Sequence, residues 1–183
     1  MKRDEGLTFL QENLKNKNLV NHSIAVEKIM TALAERLEGD RELWALAGLL
    51  HDIDYDETAK DPKRHSALGA DTLAAIGLPE ELVYAVRVHN HVHGLPRLSL
   101  LDKALYAADP LSGLIVAGAL IHPEKRLAPL YPDFIIKRFG EKAFARGANR
   151  EAIATCEELG LTLEEFITIG LSAMQQHAAE IGL

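Results

Sequence analysis

The pair His51-Asp52 closes an apolar run, Leu43-Trp44-Ala45-Leu46-Ala47-Gly48-Leu49-Leu50, and opens an acidic turn, Ile53-Asp54-Tyr55-Asp56. A neutral imidazole beside a carboxylate suits a divalent metal, and a hydrophobic helix delivers both to one point. Taken alone, the pair reads as a core histidine and a helix-cap aspartate, because buried His and Asp ordinarily find hydrogen-bond partners. Four further groups change that reading. His22, His65, His89 and Asp109 each fall on the apolar side of a helix-like segment. Six groups of metal-ligand type are poorly explained as independent core accidents, whereas one shared metal centre accounts for all of them. Histidines with a carboxylate pair favour a first-row transition ion over calcium, and carboxylates flanking two ions favour a dinuclear centre.

The elements that must carry these side chains are helices. Apolar positions recur at three- and four-residue intervals, and no convincing stretch alternates as a strand would. The periodicity predicts helices over 4–16, 19–38, 41–50, 65–76, 80–90, 100–120, 131–138, 149–159 and 163–179. Gly39-Asp40, Gly77-Leu78-Pro79, Gly94-Leu95-Pro96, His122-Pro123 and Gly160 punctuate them. Ser99 with Asp102, and Thr162 with Glu165, have the spacing of capping boxes. His22 lies on a stripe with Leu19, Val26, Ile29, Leu33 and Leu37. His65 shares a face with Leu68, Thr72 and Ala75, and His89 follows Leu82 and Ala85 or Val86. Asp109 is in register with Leu101, Leu105, Ser112 and Val116, so its carboxylate needs a cation or a full set of hydrogen bonds.

Composition narrows the function. The chain has 183 residues, 48% of them hydrophobic, which suits one all-α domain with a sizeable core. Its formal net charge is −7 and its basic residues are scattered, which argues against a dedicated nucleic-acid surface but not against a small phosphorylated substrate. Cys156 is the only cysteine, so no internal disulfide or cysteine zinc knuckle is expected and the compartment reads as cytoplasmic. The N-terminus lacks the pattern of a secretory leader. The apolar stretch 104–121 contains Asp109, Pro110 and Ser112 and reads as a core helix rather than a membrane span. Monomer and homodimer are both compatible with the sequence.

The ordered set His22, His51-Asp52, His65, His89, Asp109 resembles the HD-domain superfamily of metal-dependent phosphohydrolases, an all-helical fold. The resemblance covers about 19–120, leaving 121–183 as a C-terminal helical extension. Leu49-Leu50-His51-Asp52-Ile53-Asp54-Tyr55 and Ala107-Ala108-Asp109-Pro110-Leu111-Ser112-Gly113 are similar to a small group of uncharacterised predicted hydrolases within it. The resemblance implies His22, His51, Asp52 and Asp109 as ligands of a first ion, and His65 and His89 as ligands of a second bridged by Asp52. His91 and His93 compete with His89, which fits the helical stripe best. The cofactor would be one or two divalent transition-metal ions: iron, manganese, nickel, cobalt or zinc, with magnesium as a further option.

The function so implied is hydrolysis of a phosphate ester or anhydride in a nucleotide or small metabolite by metal-activated water. Asp52 would act at the reacting centre, and Asp54, His91 and His93 are the candidates for protonating the leaving group. Many family members have Gly-Lys after His-Asp-Ile where this chain has Asp54-Tyr55. Arg87, Lys103 and Lys125, with Ser112 beside Asp109, are the candidate substrate contacts in place of that lysine. Asp52, Asp54 and Asp56 lack the glycine and terminal glutamate of a calcium loop. Two other functions fit the same ligands: a di-iron oxygenase, and a non-catalytic ligand-binding module that keeps its metal as a structural element.

Overall fold

The structure is a computed structural model that describes residues 1–141 and 143–183. It contains α1 (Arg3–Asn13), α2 (Lys17–Arg36), α3 (Arg41–Leu50), α4 (Tyr55–Thr58), α5 (Ala67–Ala75), α6 (Glu80–Val88) and α7 (Leu100–Ile121). These are followed by α8 (Pro132–Gly140), α9 (Arg150–Ala154), α10 (Leu163–Gln176) and α11 (Ala178–Ile181). Two 3-10 turns, His91–His93 and Thr155–Leu159, complete the order, and the described residues form no strand.

Two helices organise the bundle. α2 packs against α3, α7, α10 and α11, while α7 packs against α2, α6, α8 and α9. Leu101, Ala104, Leu105, Ala107, Ala108, Leu111, Leu114 and Ile115 of α7 are all buried, which makes it the central core helix. Among the described residues it is also the one helix long and apolar enough to cross a membrane. Both predicted capping boxes form. Ser99 Oγ accepts from the Asp102 N–H at 3.1 Å, and Thr162 Oγ1 accepts from the Glu165 N–H at 3.2 Å. Each closes a helix start that would otherwise leave orphaned donors.

The structure departs from the sequence-based elements in the segments around the ligands. The helix expected from His65 begins at Ala67, because Ser66 has φ 67°, a left-handed conformation that no helix can pass through. His65 therefore sits in the turn before α5 rather than on its face. The irregular stretch after Asp52 contains the single turn of α4, and the helix expected over 149–159 splits into α9 and a 3-10 turn. The final helix breaks at His177, which has φ −120°.

One close approach sets the spacing of the site. A Cβ on Gly48 would lie 2.9 Å from Glu27 Cα and 3.0 Å from Glu27 N, so α3 crosses directly on the α2 backbone there. α2 carries His22, and α3 ends at His51. Gly48→Ala must separate the two helices, and overpacking of this kind costs about 1–3 kcal/mol. We expect a melting temperature lower by several degrees together with weaker metal binding, read by thermal unfolding and metal titration.

Candidate metal centre

Two of the four histidines are helix C-caps. His51 follows α3 and His89 follows α6, both with right-handed helical backbone angles. The last carbonyls of a helix lack intrahelical donors. His51 Nδ1–H donates to the Gly48 carbonyl at 2.8 Å, and His89 Nδ1–H donates to the Val86 carbonyl at 2.6 Å. A carbonyl can only accept, so the bond fixes the tautomer and turns a bare Nε2 lone pair away from the helix. One local device thus serves both residues, satisfying the helix end and aiming the ligand atom.

The other two histidines are held by side chains. Ser112 donates its hydroxyl to the Asp109 carbonyl at 2.8 Å, so its oxygen accepts from His22 Nδ1–H at 3.0 Å. His65 Nδ1–H donates to Asp54 Oδ1 at 3.0 Å, and Asp54 Oδ2 accepts the N–H groups of Ser66 at 2.8 Å and Gly69 at 3.0 Å. A carboxylate behind an imidazole raises the basicity of the outward nitrogen and fixes the ring, a recurrent support of metal-binding histidine. All four Nδ1 atoms therefore point outward to acceptors, and all four Nε2 atoms point inward.

Those inward atoms meet the two carboxylates. His22 Nε2 lies 3.2 Å from His51 Nε2 and 3.1 Å from Asp109 Oδ1. Asp52 Oδ1 is 3.5 Å from His51 Nε2, 3.4 Å from His65 Nε2 and 3.5 Å from His89 Nε2, while its Oδ2 is 3.6 Å from His22 Nε2. Donor atoms about 2.1 Å from a common ion stand roughly 3.0–3.4 Å apart at octahedral or tetrahedral angles, close to these separations. Two ligand groups emerge, His22 with His51 and Asp109, and His51 with Asp52 and His89. His89 Nε2 is buried and has no hydrogen-bond partner. A buried ring nitrogen without a hydrogen-bond partner, beside two further imidazole nitrogens 3.2 Å apart, is satisfied by a divalent cation. The residues present fit a metal.

The electrostatics agree. Burial opposes charge on His51, yet the Asp52 and Asp109 carboxylates outweigh it and push its pKa up to about 9. Burial also opposes charge on Asp52 and Asp109, but the facing imidazoles hold both well below the ordinary carboxylate range. The Asp109 side chain is 32% exposed, so the carboxylate expected among apolar neighbours instead stands at the mouth of the site.

Several candidate residues have other tasks. Asp54, read as a proton donor, has a side chain 2% exposed with both oxygens engaged, and it orients His65. His93 Nε2 lies 2.8 Å from the His65 carbonyl and 3.0 Å from Ser66 Oγ, so this residue clips the His65 turn rather than facing the reacting centre. His91 is exposed on its 3-10 turn and is not brought to the cluster. Ser112 is fully buried and supports His22, which removes it as a substrate contact. Arg87 pairs with Asp71 at 2.6 Å, and Lys103 reaches toward Glu158 at 3.9 Å. Lys125 lies past the end of α7, whose last residue, Ile121, is about 18 Å along the helix axis from Asp109. Sequence reasoning missed Ser66 and Asn90. Ser66 Oγ donates to the Arg87 carbonyl at 2.9 Å, and Asn90 Nδ2 donates to the carbonyls of Pro62 at 2.7 Å and His65 at 3.0 Å. Asn90 between two histidines was the one signal available.

The site opens through a cavity of about 290 Å³ lined by His22, Asp109, Pro110, Gly113, Ala145, Gly147 and Ala148. Two larger clefts, of about 530 and 620 Å³, run beside α2 and are lined by none of the six ligand residues.

A helical bundle that gathers four imidazoles and two carboxylates around one point has the site of a metal-dependent enzyme. Residues 19–114 match the HD domain, and the chain belongs to that family. Ribonuclease Y of Desulfotalea psychrophila is 36% identical over 97 residues, covering 53% of this chain and 18% of that protein. Ribonuclease Y of Lawsonia intracellularis is 32% identical over 186 residues, covering 89% of this chain and 35% of that protein. An uncharacterised protein of Methanocaldococcus jannaschii is 31% identical over 164 residues, covering 84% of this chain and 91% of that one. The chain thus spans 18% and 35% of these two ribonuclease Y proteins but nearly the whole archaeal relative. Family membership and the His/Asp cluster together suggest a metal-dependent hydrolase.

Proposed function

We propose that the chain hydrolyses a phosphate ester or phosphoanhydride in a nucleotide or another small phosphorylated metabolite. The observation that carries this reading is the convergence of four Nε2 atoms on two carboxylates, with His89 Nε2 left without a hydrogen-bond partner. His22, His51, Asp52 and Asp109 would hold one divalent ion, and Asp52, His65 and His89 a second. Bound ions supply an acidified water and neutralise charge on the phosphoryl oxygens. Ser112, Asp54 and the Gly48 and Val86 carbonyls keep each imidazole in the tautomer that can bind metal. The ribonuclease Y relatives carry a name for phosphodiester cleavage, which supports phosphoryl chemistry at this site. A small substrate is favoured over RNA because the chain is acidic and no lysine or arginine lines the cavity.

Metal analysis of protein purified without added metal, followed by p-nitrophenyl phosphate and a nucleotide panel with each divalent ion, tests the proposal. Chelator-sensitive phosphate release is expected. Iron near two per chain with oxygen uptake and no phosphate release would favour an oxygenase instead. Melting on chelation with no turnover across the panel would favour a binding module.

A further inference from the structure

We propose that the cleft between α2 and α10 is a second ligand site, apart from the metal centre, for a phosphorylated metabolite of nucleotide size. Its cavity of about 530 Å³ falls in the roughly 300–1,000 Å³ range of small-molecule sites, and none of the six metal ligands lines it. Two helical stripes form its walls. On α2, Lys28, Thr31, Ala32 and Glu35 recur at three- and four-residue intervals, and on α10 Ile169, Ser172, Ala173 and Gln176 do the same. Stripes that meet ordinarily close on large apolar side chains. Ala32, Ser172 and Ala173 are too small to close this pair, and buried Ala173 with half-buried Ala32 and Ile169 gives the cleft an apolar floor.

The charge of the cleft runs against that of the molecule. In a chain of net charge −7, Lys28, Arg36 and Arg41 line it, with Glu35 the one lining carboxylate among the described residues. Lys28 is held by Glu180 at 3.1 Å. The two arginines are available. Arg36 ends α2 and Arg41 opens α3, so their guanidiniums border the same end of the cleft. Arg36 makes no ion pair among the described residues, and Glu165, the carboxylate that feels its charge, is engaged in the Thr162 cap. Arg41 pairs with Glu35 at 3.1 Å, but these side chains are 68% and 56% exposed, and such a surface pair contributes too little to resist a phosphate. Each planar guanidinium can bind two phosphate oxygens. The stretch of α2 from Arg36 back to Lys28, about 12 Å of helix, leaves room for a nucleoside. Thr31 Oγ1 donates to the Glu27 carbonyl at 2.8 Å, and Gln176 Nε2 donates to Ser172 Oγ at 3.2 Å. The Thr31 oxygen and the Ser172 hydroxyl hydrogen are thereby left for the sugar or base of a ligand.

Isothermal titration of the full chain with ADP and with inorganic pyrophosphate, run with metal bound and again after chelation, tests the site. Binding that survives chelation is expected, because the cleft needs no ion. Arg36→Ala should weaken ADP binding about 10-fold and the Arg36→Ala, Arg41→Ala double variant about 100-fold, the usual loss for one and two charge-assisted contacts. Arg36→Lys should recover part of the loss. Both arginines are exposed, so the variants should fold, and metal content and circular dichroism on the same samples check that they do. If chelation unfolds the chain, the Arg36 variants measured with metal bound still decide the matter. ADP bound only by folded protein that holds metal, or bound within twofold of wild type by the double variant, overturns the inference, as does failure of both probes to bind. Competition by poly-glutamate at the affinity of ADP would mark a surface for acidic protein and overturn it too. None of these results touches the phosphohydrolase reading, which stands or falls on the metal centre.

Discussion

Replacing Asp52 by alanine is expected to remove bound metal and to lower hydrolysis by about a thousandfold or more. Asp52 is the one carboxylate that faces all four imidazoles, with Oδ1 toward His51, His65 and His89 and Oδ2 toward His22. Without it the His22, His51 and Asp109 group keeps one anion, but no carboxylate faces the Nε2 atoms of His65 and His89, Asp54 lying behind the His65 ring at Nδ1. Charge stabilisation by metal contributes several kcal/mol to a transition state, and each 1.36 kcal/mol is a factor of ten in rate. Asp52→Asn keeps the shape and removes the charge, so it should behave almost as the alanine variant does. His89→Ala separates the two ligand groups, because it leaves His22, His51 and Asp109 intact. On the proposed two-ion reading, metal content should fall from two ions per chain to one. Elemental analysis and kcat/KM on p-nitrophenyl phosphate read both effects, and full activity in Asp52→Ala would sink the proposed chemistry.

Of the six candidate ligands, His22 and Asp109 lie within helices whose periodicity puts them on an apolar face, and His51, Asp52 and His89 follow directly on helix ends that hydrophobic burial draws together, whereas His65 falls in the turn before α5. The boundaries of α2, α3 and α7 follow from the same pattern, and Asn16, Asp40 and Ser99 cap their starts with side-chain oxygens. The support of the ligands was much less legible. Asp54 acts through a turn in which Ser66 is left-handed, and no local preference announces a serine in that conformation. Ser112 shows up in sequence as a neighbour of Asp109 on one face, yet its hydroxyl serves His22, ninety positions away. The wall formed by Ala145, Gly147 and Ala148 comes from a segment with no periodicity, held by hydrogen bonds from one guanidinium. Periodic burial can be read from one dimension, whereas contacts made by single side chains across the fold cannot.

The second large effect is a dependence on pH that differs between metal-free and metal-loaded protein. Without metal, burial disfavours the charged His51, but Asp52 and Asp109 hold its pKa up to about 9, against about 6.5 in an unfolded chain. A folded pKa above the unfolded one stabilises the protein fully below about pH 6.5 and is lost as pH rises through about 9. The depressed carboxylates stabilise it above their unfolded pKa near 4, so they add no slope in this window. Metal-free protein should therefore lose on the order of 3 kcal/mol between pH 6.5 and 9, a fall of about 6–12 °C in melting temperature. Metal binds only the deprotonated imidazole, so apparent affinity should rise about tenfold per pH unit across the same range. Each tenfold gain adds about 1.4 kcal/mol to the loaded protein at fixed free metal, which cancels the loss in the metal-free form. The loaded protein's melting temperature should accordingly stay level while the metal-free value falls. Thermal unfolding at pH 6.5, 7.5 and 9 in chelator and in saturating metal reads both curves. A metal-free melting temperature that is flat or rising over that window would show that His51 does not hold its proton against the two carboxylates.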